Sequence, residues 1–359
     1  MSNGPKIAFA GGGTGGHIYP GLAVAAKLKE KGCGIFWIGS NKELDRRIVE
    51  GADIRFFGIP SGKLRRYFSL QNFIDIFRII AGFFAARQIL KKEKPFLLFS
   101  KGGFVSVPPV IAAFSLNIPV FTHESDFSPG LATKINSFFS KKILVSYGET
   151  VSKFKPRMGK KIAITGNPVR QIFRSADAEV GRRFLGIEKQ PILLVLGGSQ
   201  GAKEINNIVT DNLDTLTRFY MVVHQTGAMD AEKTPPGSLR YKPFQYIGEE
   251  MPHILAAATL VLSRSGAGTV WECATVGKPM LLVPLRGSGT RGDQVENALF
   301  FERAGAAIVQ TDAKSITQTI VSLAEDESKL RTMSVSAMKI GAIDGSEEIA
   351  RLIANFRSN

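Results

Sequence analysis

Short apolar runs recur along the chain, and most are followed by a longer stretch with apolar residues at helical spacing. In the first half the runs Lys6–Ala10, Gly34–Ile38, Ile54–Gly58, Phe96–Ser100, Val120–His123 and Ile143–Val145 predict strands. His17–Lys31 and Val107–Ser115 read as helices between them. The second half repeats the scheme with Ile192–Leu196, Met221–His224, Tyr241–Ile247, Leu260–Leu262, Met280–Val283 and Ala307–Val309. Strands alternating with helices predict an α/β chain with doubly wound parallel sheets. A join falls at Ile162-Ala163-Ile164-Thr165-Gly166-Asn167-Pro168. The expected domains are residues 1–164 and 165–342, with a last helix over about 343–359 that crosses back onto the first.

Two glycine-rich loops stand at matching places in this scheme. Gly11-Gly12-Gly13-Thr14-Gly15-Gly16-His17 follows the first strand of one half, and Gly197-Gly198-Ser199-Gln200-Gly201-Ala202 that of the other. Each sets backbone amides at a helix start, where a phosphate is held. Two such openings predict two similar domains facing each other across a cleft that holds a charged ligand. Gly11-x-Gly13-x-x-Gly16 also fits the dinucleotide pattern, but that pattern alone is weak. An NAD site wants an acidic residue at the end of the second strand to hold the ribose. Here that strand runs into Gly39-Ser40-Asn41-Lys42, and its counterpart into His224-Gln225-Thr226, neither with a carboxylate. No Gly-Lys-Ser/Thr follows either loop, which excludes a P-loop. A nucleotide-sugar or other diphosphate ligand remains.

Composition and charge sharpen this picture. With 359 residues, 44% of them hydrophobic, the chain suits two globular domains. Cys33 and Cys273 lie far apart, without metal-ligand spacing or a disulfide framework, which fits a reducing cytoplasm. The opening strand runs straight into glycines and a histidine, so no secretory signal is expected. Residues 1–166 hold 25 Lys and Arg against 10 Asp and Glu, whereas the remainder holds 21 of each. The cationic half suits an anionic membrane surface. Nucleic acid is not expected, because no RNP, zinc-finger or basic-zipper motif occurs. Within Leu70–Lys92, Phe73, Ile76, Phe77, Ile80 and Phe84 follow helical spacing among Arg65, Arg66, Arg78, Arg87, Lys91 and Lys92. Asp75, Arg78 and Arg87 interrupt the stretch, so it predicts an amphipathic helix lying on a membrane and not a span. Much of its apolar surface is also expected to pack on the sheet.

A longer set of motifs carries a resemblance. Gly12–His17 with Pro20–Ala25, Gly102-Gly103-Phe104, His123-Glu124-Ser125-Asp126 and Gly166-Asn167-Pro168-Val169-Arg170 resemble the signature of the MurG family. So do Gly197–Ala202, Ser263–Thr269 with Glu272, and Asp293-Gln294 with Asn297-Ala298, all in the family's order. The resemblance implies a GT-B fold and a glycosyltransferase moving N-acetylglucosamine (GlcNAc) from UDP-GlcNAc to the undecaprenyl-linked lipid I, giving lipid II for peptidoglycan. It further implies inversion at the anomeric carbon, no cofactor or metal, and a peripheral place on the cytoplasmic face of the membrane. Cell-wall synthesis or division proteins would be its protein partners.

By the same resemblance, Ile247 meets the uracil through its backbone and Glu272 bonds the ribose. Arg170, Ser199 and Gln200, with Ala267, Gly268 and Thr269 and the following Val270 and Trp271, belong to the donor diphosphate side. Gln294 reads the sugar hydroxyls. Thr14, Gly15, Gly16, Gly102 and Gly103 face the acceptor's diphosphate. His17, Glu124 and Asp126 are the candidates for taking the acceptor's proton, with His17 favoured by intrinsic pKa. Asp126 and Asp293 depart from residues that some relatives carry. No Asp-x-Asp pair occurs, in line with a diphosphate held without metal. Two other readings stay open: a GT-B enzyme acting on diacylglycerol, and a non-catalytic UDP-sugar binder.

Overall fold

The computed structural model describes residues 4–62, 71–197, 202–228, 234–285 and 292–358, with the side chains of residues 71–74 and 358 left aside. Among the described residues thirteen strands run in chain order. The first seven are β1 (Lys6–Ala10), β2 (Gly34–Ser40), β3 (Arg55–Ile59), β4 (Leu97–Ser100), β5 (Val120–Glu124), β6 (Lys142–Val145) and β7 (Ile162–Ile164). They form one parallel sheet in the order β3-β2-β1-β4-β5-β6-β7. The rest are β8 (Ile192–Leu196), β9 (Met221–Gln225), β10 (Tyr241–Phe244), β11 (Leu260–Ser263), β12 (Met280–Leu282) and β13 (Ala307–Val309). Their parallel sheet has the order β10-β9-β8-β11-β12-β13. Each is a Rossmann-like α/β unit, and the pair is that of the GT-B class. In each, strand order reverses beside the first strand, between β1 and β4 and between β8 and β11. Open α/β sheets bind ligands at such a reversal, outside the strands' carboxyl ends.

The pleat divides each strand between two cores. In the first unit Ile7 and Phe9 join Trp37, Leu97 and Phe99 on one face, while Ala8 and Ala10 join Phe36, Ile38 and Leu98 on the other. The helix Gly15–Glu30 covers the first face with Ile18, Val24 and Leu28. The final helix Gly345–Ser358 adds Ile349, Ala350 and Ile353 to that core, and Phe356 meets Phe121 edge-on at 5.2 Å. The helices Gln71–Glu93 and Val107–Ser115 cover the second face through Ala86, Leu90, Val110 and Ala113. In the second unit Leu193, Val195, Val222, Leu260 and Leu281 pack with Ile205, Ile316, Ile320 and Met333.

The two compact units are Met1–Arg170 with Asp344–Asn359, and Gln171–Ile343. The division at Arg170 differs from the join at 164/165 read from the sequence. Ile162–Ile164, taken there as connection, is an edge strand paired with β6, Ile143 opposite Ile162. Gly166-Asn167 stays with the first unit because His123 Nε2 bonds the Gly166 carbonyl and Ser125 Oγ bonds Asn167 Oδ1. The final helix is clamped at the same place: Ser346 Oγ donates to the Val169 carbonyl at 3.0 Å. A β-carbon on Gly345 would meet the Asn167 carbonyl at 2.7 Å. The strand expected over Tyr241–Ile247 ends at Phe244, because the Ile247 amide turns to the Gln225 side chain.

Candidate functional site

In the first unit the candidate residues gather at the carboxyl ends of β1, β4 and β5. Gly12 and Gly13 take φ of 158° and 87°, a turn that side chains resist. The loop is fastened on two sides. Trp37 Nε1 donates to the Gly11 carbonyl at 2.8 Å, and the Gly13 amide donates to Asp45 Oδ2 at 2.8 Å. Asp45 is wholly buried, and the same oxygen accepts from the Ser40 hydroxyl at 2.6 Å and the Ser40 amide at 3.3 Å. A carboxylate therefore does stand beside the end of the second strand, delivered by the helix Glu43–Glu50. Its Oδ2 is turned to the glycine loop. A β-carbon on Gly12 would collide with it, so glycine is required.

Thr14 caps the helix Gly15–Glu30 without a side-chain bond to its amides, and the first turn carries no acidic residue. Gly15 and Gly16 stand in that turn, where the helix supplies amides no acceptor of its own and the dipole favours an anion. His17 follows, half-buried, with its ring across Gly102 and Gly103: a β-carbon on Gly103 would lie 3.0 Å from His17 Cδ2. Those glycines take φ of 86° and 74°. Ser100 Oγ accepts from the Gly102 amide, Ser106 Oγ donates to the Gly103 carbonyl, and buried Asn136 donates to both hydroxyls.

Glu124 and Asp126 come next, on β5 and the loop after it. Glu124 is 7% exposed, and its two oxygens accept from the Asp126 amide at 3.1 Å and the Gly130 amide at 3.0 Å. That carboxylate braces its own loop. Asp126 is half-buried above it. His123 is fully buried, and burial first, then the Lys101 charge, holds its pKa well below 6.5. Since a carbonyl only accepts, His123 Nε2 carries the proton and donates to Gly166 at 3.2 Å. Arg170 closes this unit, its guanidinium 4.9 Å from the centre of the Tyr19 ring. The structure thus groups Arg170 with the first glycine loop.

In the second unit the helix Ala267–Val276 starts after β11 at the strand-order reversal. Gly266 caps it without a side-chain bond, and no acidic residue enters its first turn. Ala267, Gly268 and Thr269 supply its first amides. Val270 and Trp271 are 0% and 2% exposed, so their side chains belong to the core, Trp271 against Phe301. Glu272 follows, half-buried. Gln294 is drawn to the same helix start. Ser265 Oγ donates to its carbonyl at 2.6 Å, Asn297 Nδ2 bonds the Ser265 carbonyl, and Gln294 Oε1 accepts from the Leu285 amide at 3.0 Å.

Ile247 is buried, and its amide donates to Gln225 Oε1 at 3.0 Å. Ser199 and Gln200 lie outside the described residues. Among the described residues no three His, Cys, Asp or Glu side chains gather as a metal site, and no helix is long and apolar enough to cross a membrane. Sequence reading missed Asp45, Lys101 and Gln225. Each acts through a contact to a distant strand or loop, which no local motif marks.

Residues 7–145 match the glycosyltransferase family 28 N-terminal domain, and residues 192–351 its C-terminal domain. A protein of Treponema denticola named UDP-N-acetylglucosamine--N-acetylmuramyl-(pentapeptide) pyrophosphoryl-undecaprenol N-acetylglucosamine transferase is 50% identical, over 84% of this chain and 82% of its own. The protein of that name from the Nichols strain of Treponema pallidum is 45% identical, over 98% of this chain and 95% of its own. The crystal structure of Acinetobacter baumannii MurG superposes with a TM-score of 0.73 at 25% identity, covering 98% of this chain and 99% of that one. With relatives this similar over nearly their whole length, and with its motifs at the strand-order reversals of both sheets, the chain belongs to the MurG family of glycosyltransferases.

Proposed function

We propose that this enzyme transfers GlcNAc from UDP-GlcNAc to lipid I, undecaprenyl-pyrophosphoryl-MurNAc-pentapeptide, forming lipid II. The observation that carries the reading is the near-full-length similarity to transferases named for that reaction. The donor belongs to the second unit. Its pyrophosphate meets the amides of Ala267, Gly268 and Thr269, with Ser199 and Gln200. Glu272 takes the ribose hydroxyls, Ile247 the uracil edge, and Gln294 the sugar hydroxyls. The Ile247 amide must exchange Gln225 for the base if it is to read it. The acceptor belongs to the first unit, its diphosphate at Thr14, Gly15 and Gly16, with Gly102 and Gly103 beneath the reacting sugar.

The chemistry follows from charge. The acceptor hydroxyl attacks the anomeric carbon, the bond to the UDP oxygen breaks, and negative charge gathers on the departing pyrophosphate. Fixed amides at a helix start, aimed at that charge, stabilise the transition state more than the ground state. His17 takes the hydroxyl proton, held in place by the Gly102-Gly103 platform. Asp126 is the alternative base. Glu124 is a brace, since both its oxygens already hold amides.

The enzyme works at the cytoplasmic face of the membrane, resting there through the helix Gln71–Glu93. Along it Ile76, Phe77, Ile80 and Phe84 are 45%, 71%, 48% and 63% exposed, a stripe of apolar side chains on the outside of a cationic unit. Arg78, Arg87, Lys91 and Lys92 share the helix and suit anionic headgroups. Incubation with UDP-GlcNAc, UDP-glucose or UDP-galactose, against a lipid I analogue or diacylglycerol, tests the assignment. Turnover is expected with UDP-GlcNAc and the lipid I analogue. Turnover on diacylglycerol with UDP-glucose would replace the reading, and tight UDP-GlcNAc binding without any turnover would make the protein a binder.

A further inference from the structure

Beneath the first glycine loop the protein buries an ammonium group. Lys101 directly follows β4, beside Gly102, and is 2% exposed. A lysine stem is long enough to carry its charge to water, and most do. This one turns inward. Its Nζ donates to Ser125 Oγ at 2.6 Å, and Ser125 Oγ donates in turn to Asn167 Oδ1 at 2.6 Å. Ser146 Oγ reaches the same Asn167 oxygen at 3.4 Å. One buried cation thus ties together the loops after β4, β5 and β7.

A buried charge persists only where opposite charge and hydrogen bonds offset its desolvation. Glu124 and Asp126, from β5 and the loop after it, supply that charge. The reverse also holds: without Lys101, the Glu124 and Asp126 charges would lose this cation beside the loop assigned above to an anionic diphosphate. Also near are His123 on β5, which the Lys101 charge helps keep neutral, and His17 of the first helix, across Gly102 and Gly103.

We propose that Lys101 is a positioning residue for the acceptor: it orients Ser125 and Asn167, and cancels enough of the Glu124 and Asp126 charge for a diphosphate to approach the glycine loop. This rests on the acceptor assignment made above. Burial draws the Lys101 ammonium down to about 8, against Glu124 and then Asp126. The cation is accordingly present at neutral pH and lost as pH rises past that value.

The test uses the full-length enzyme with UDP-GlcNAc and a lipid I analogue. Lys101→Met should raise the acceptor KM about tenfold or more, as removal of a charged hydrogen bond does, with the donor KM unchanged. Adding Asp126→Asn to Lys101→Met should recover much of the acceptor KM by removing the excess negative charge. The wild-type acceptor KM should climb above about pH 8, and Lys101→Met should lack that limb. An acceptor KM within about twofold of wild type in Lys101→Met would overturn the proposal. So would a parallel rise in both KM values with a lowered Tm and no recovery in the double variant, which is the signature of packing alone. If Lys101→Met fails to fold, a flat wild-type acceptor KM from about pH 7 to 9.5 overturns it instead. Wild-type enzyme inactive on the lipid I analogue would defeat the acceptor assignment itself, a result distinct from an active wild type with an unaffected Lys101→Met.

Discussion

Asp45 sets the first glycine loop from below, with one carboxylate oxygen accepting the Gly13 amide, the Ser40 amide and the Ser40 hydroxyl. Removing it leaves those buried donors without an acceptor, which costs about 1–3 kcal/mol. Asp45→Ala should lower the unfolding free energy measured in urea by that amount and raise the acceptor KM, while the donor KM stays put. A donor KM that rises equally would show that the loop serves both substrates. His17→Ala should cut kcat by about 10²–10⁴ if His17 is the base. A loss under about fivefold would pass the role to Asp126. Glu272→Ala should raise the donor KM alone, and an unchanged value would remove Glu272 from the ribose site. His17 and Glu272 were legible in the sequence because each stands inside a dense local motif. Asp45 was not, since nothing local marks an acid in the first turn of an ordinary helix as the partner of a loop in another βα unit.

The helix Gln71–Glu93 shows what a single element can and cannot disclose. Its apolar spacing and its basic residues were plain in the sequence, and what they left open was whether the Ile76, Phe77, Ile80 and Phe84 stripe faces out or packs on the sheet. The fold answers that: Gly82, Ala86 and Leu90 are buried, whereas Ile76, Phe77, Ile80 and Phe84 are not. Gly82 lies so near the Pro60 carbonyl that a β-carbon would clash, which brings that face of the helix close against the unit. Phe73 lies among the residues whose side chains are not described. Phe77→Ser with Phe84→Ser should change the urea midpoint little, because both rings are mostly exposed. The pair should nevertheless weaken flotation with anionic vesicles by about tenfold or more, each ring contributing roughly 1–2 kcal/mol of buried apolar area. Retained flotation would place the membrane contact elsewhere.

At the scale of the molecule, each unit has its own sheet and core and hides one neutral histidine. In the second, His224 Nδ1 lies 3.1 Å from the Tyr241 hydroxyl and Nε2 lies 3.0 Å from Asn206 Oδ1, with burial holding its pKa down at about 4. His123 in the first unit is depressed in the same direction. The unfolded chain therefore binds protons near pH 6.5 that the native units refuse. Stability contributed by these groups is complete above pH 6.5 and is lost as pH falls, for His224 until about pH 4. The slope is about 1.4 kcal/mol per pH unit for each histidine. Urea titrations between pH 7 and 5 should show it, and His224→Gln should flatten the slope for the second unit. A flat profile in the native enzyme would mean that these rings protonate in place.

The order of strands and helices, the two glycine loops behind first strands and the family motifs were all determined by the sequence, because each is written in neighbouring residues. Hydrogen-bond rules and side-chain shape act over a few positions and need no fold to be read. Which strand lies beside which, and hence the Gly13 to Asp45 bond, the Lys101-Ser125-Asn167 chain and the Gln225 hold on Ile247, only the tertiary structure decided. Those contacts join residues that a parallel sheet makes neighbours through its helical crossovers, and the partners carry no mutual mark along the chain.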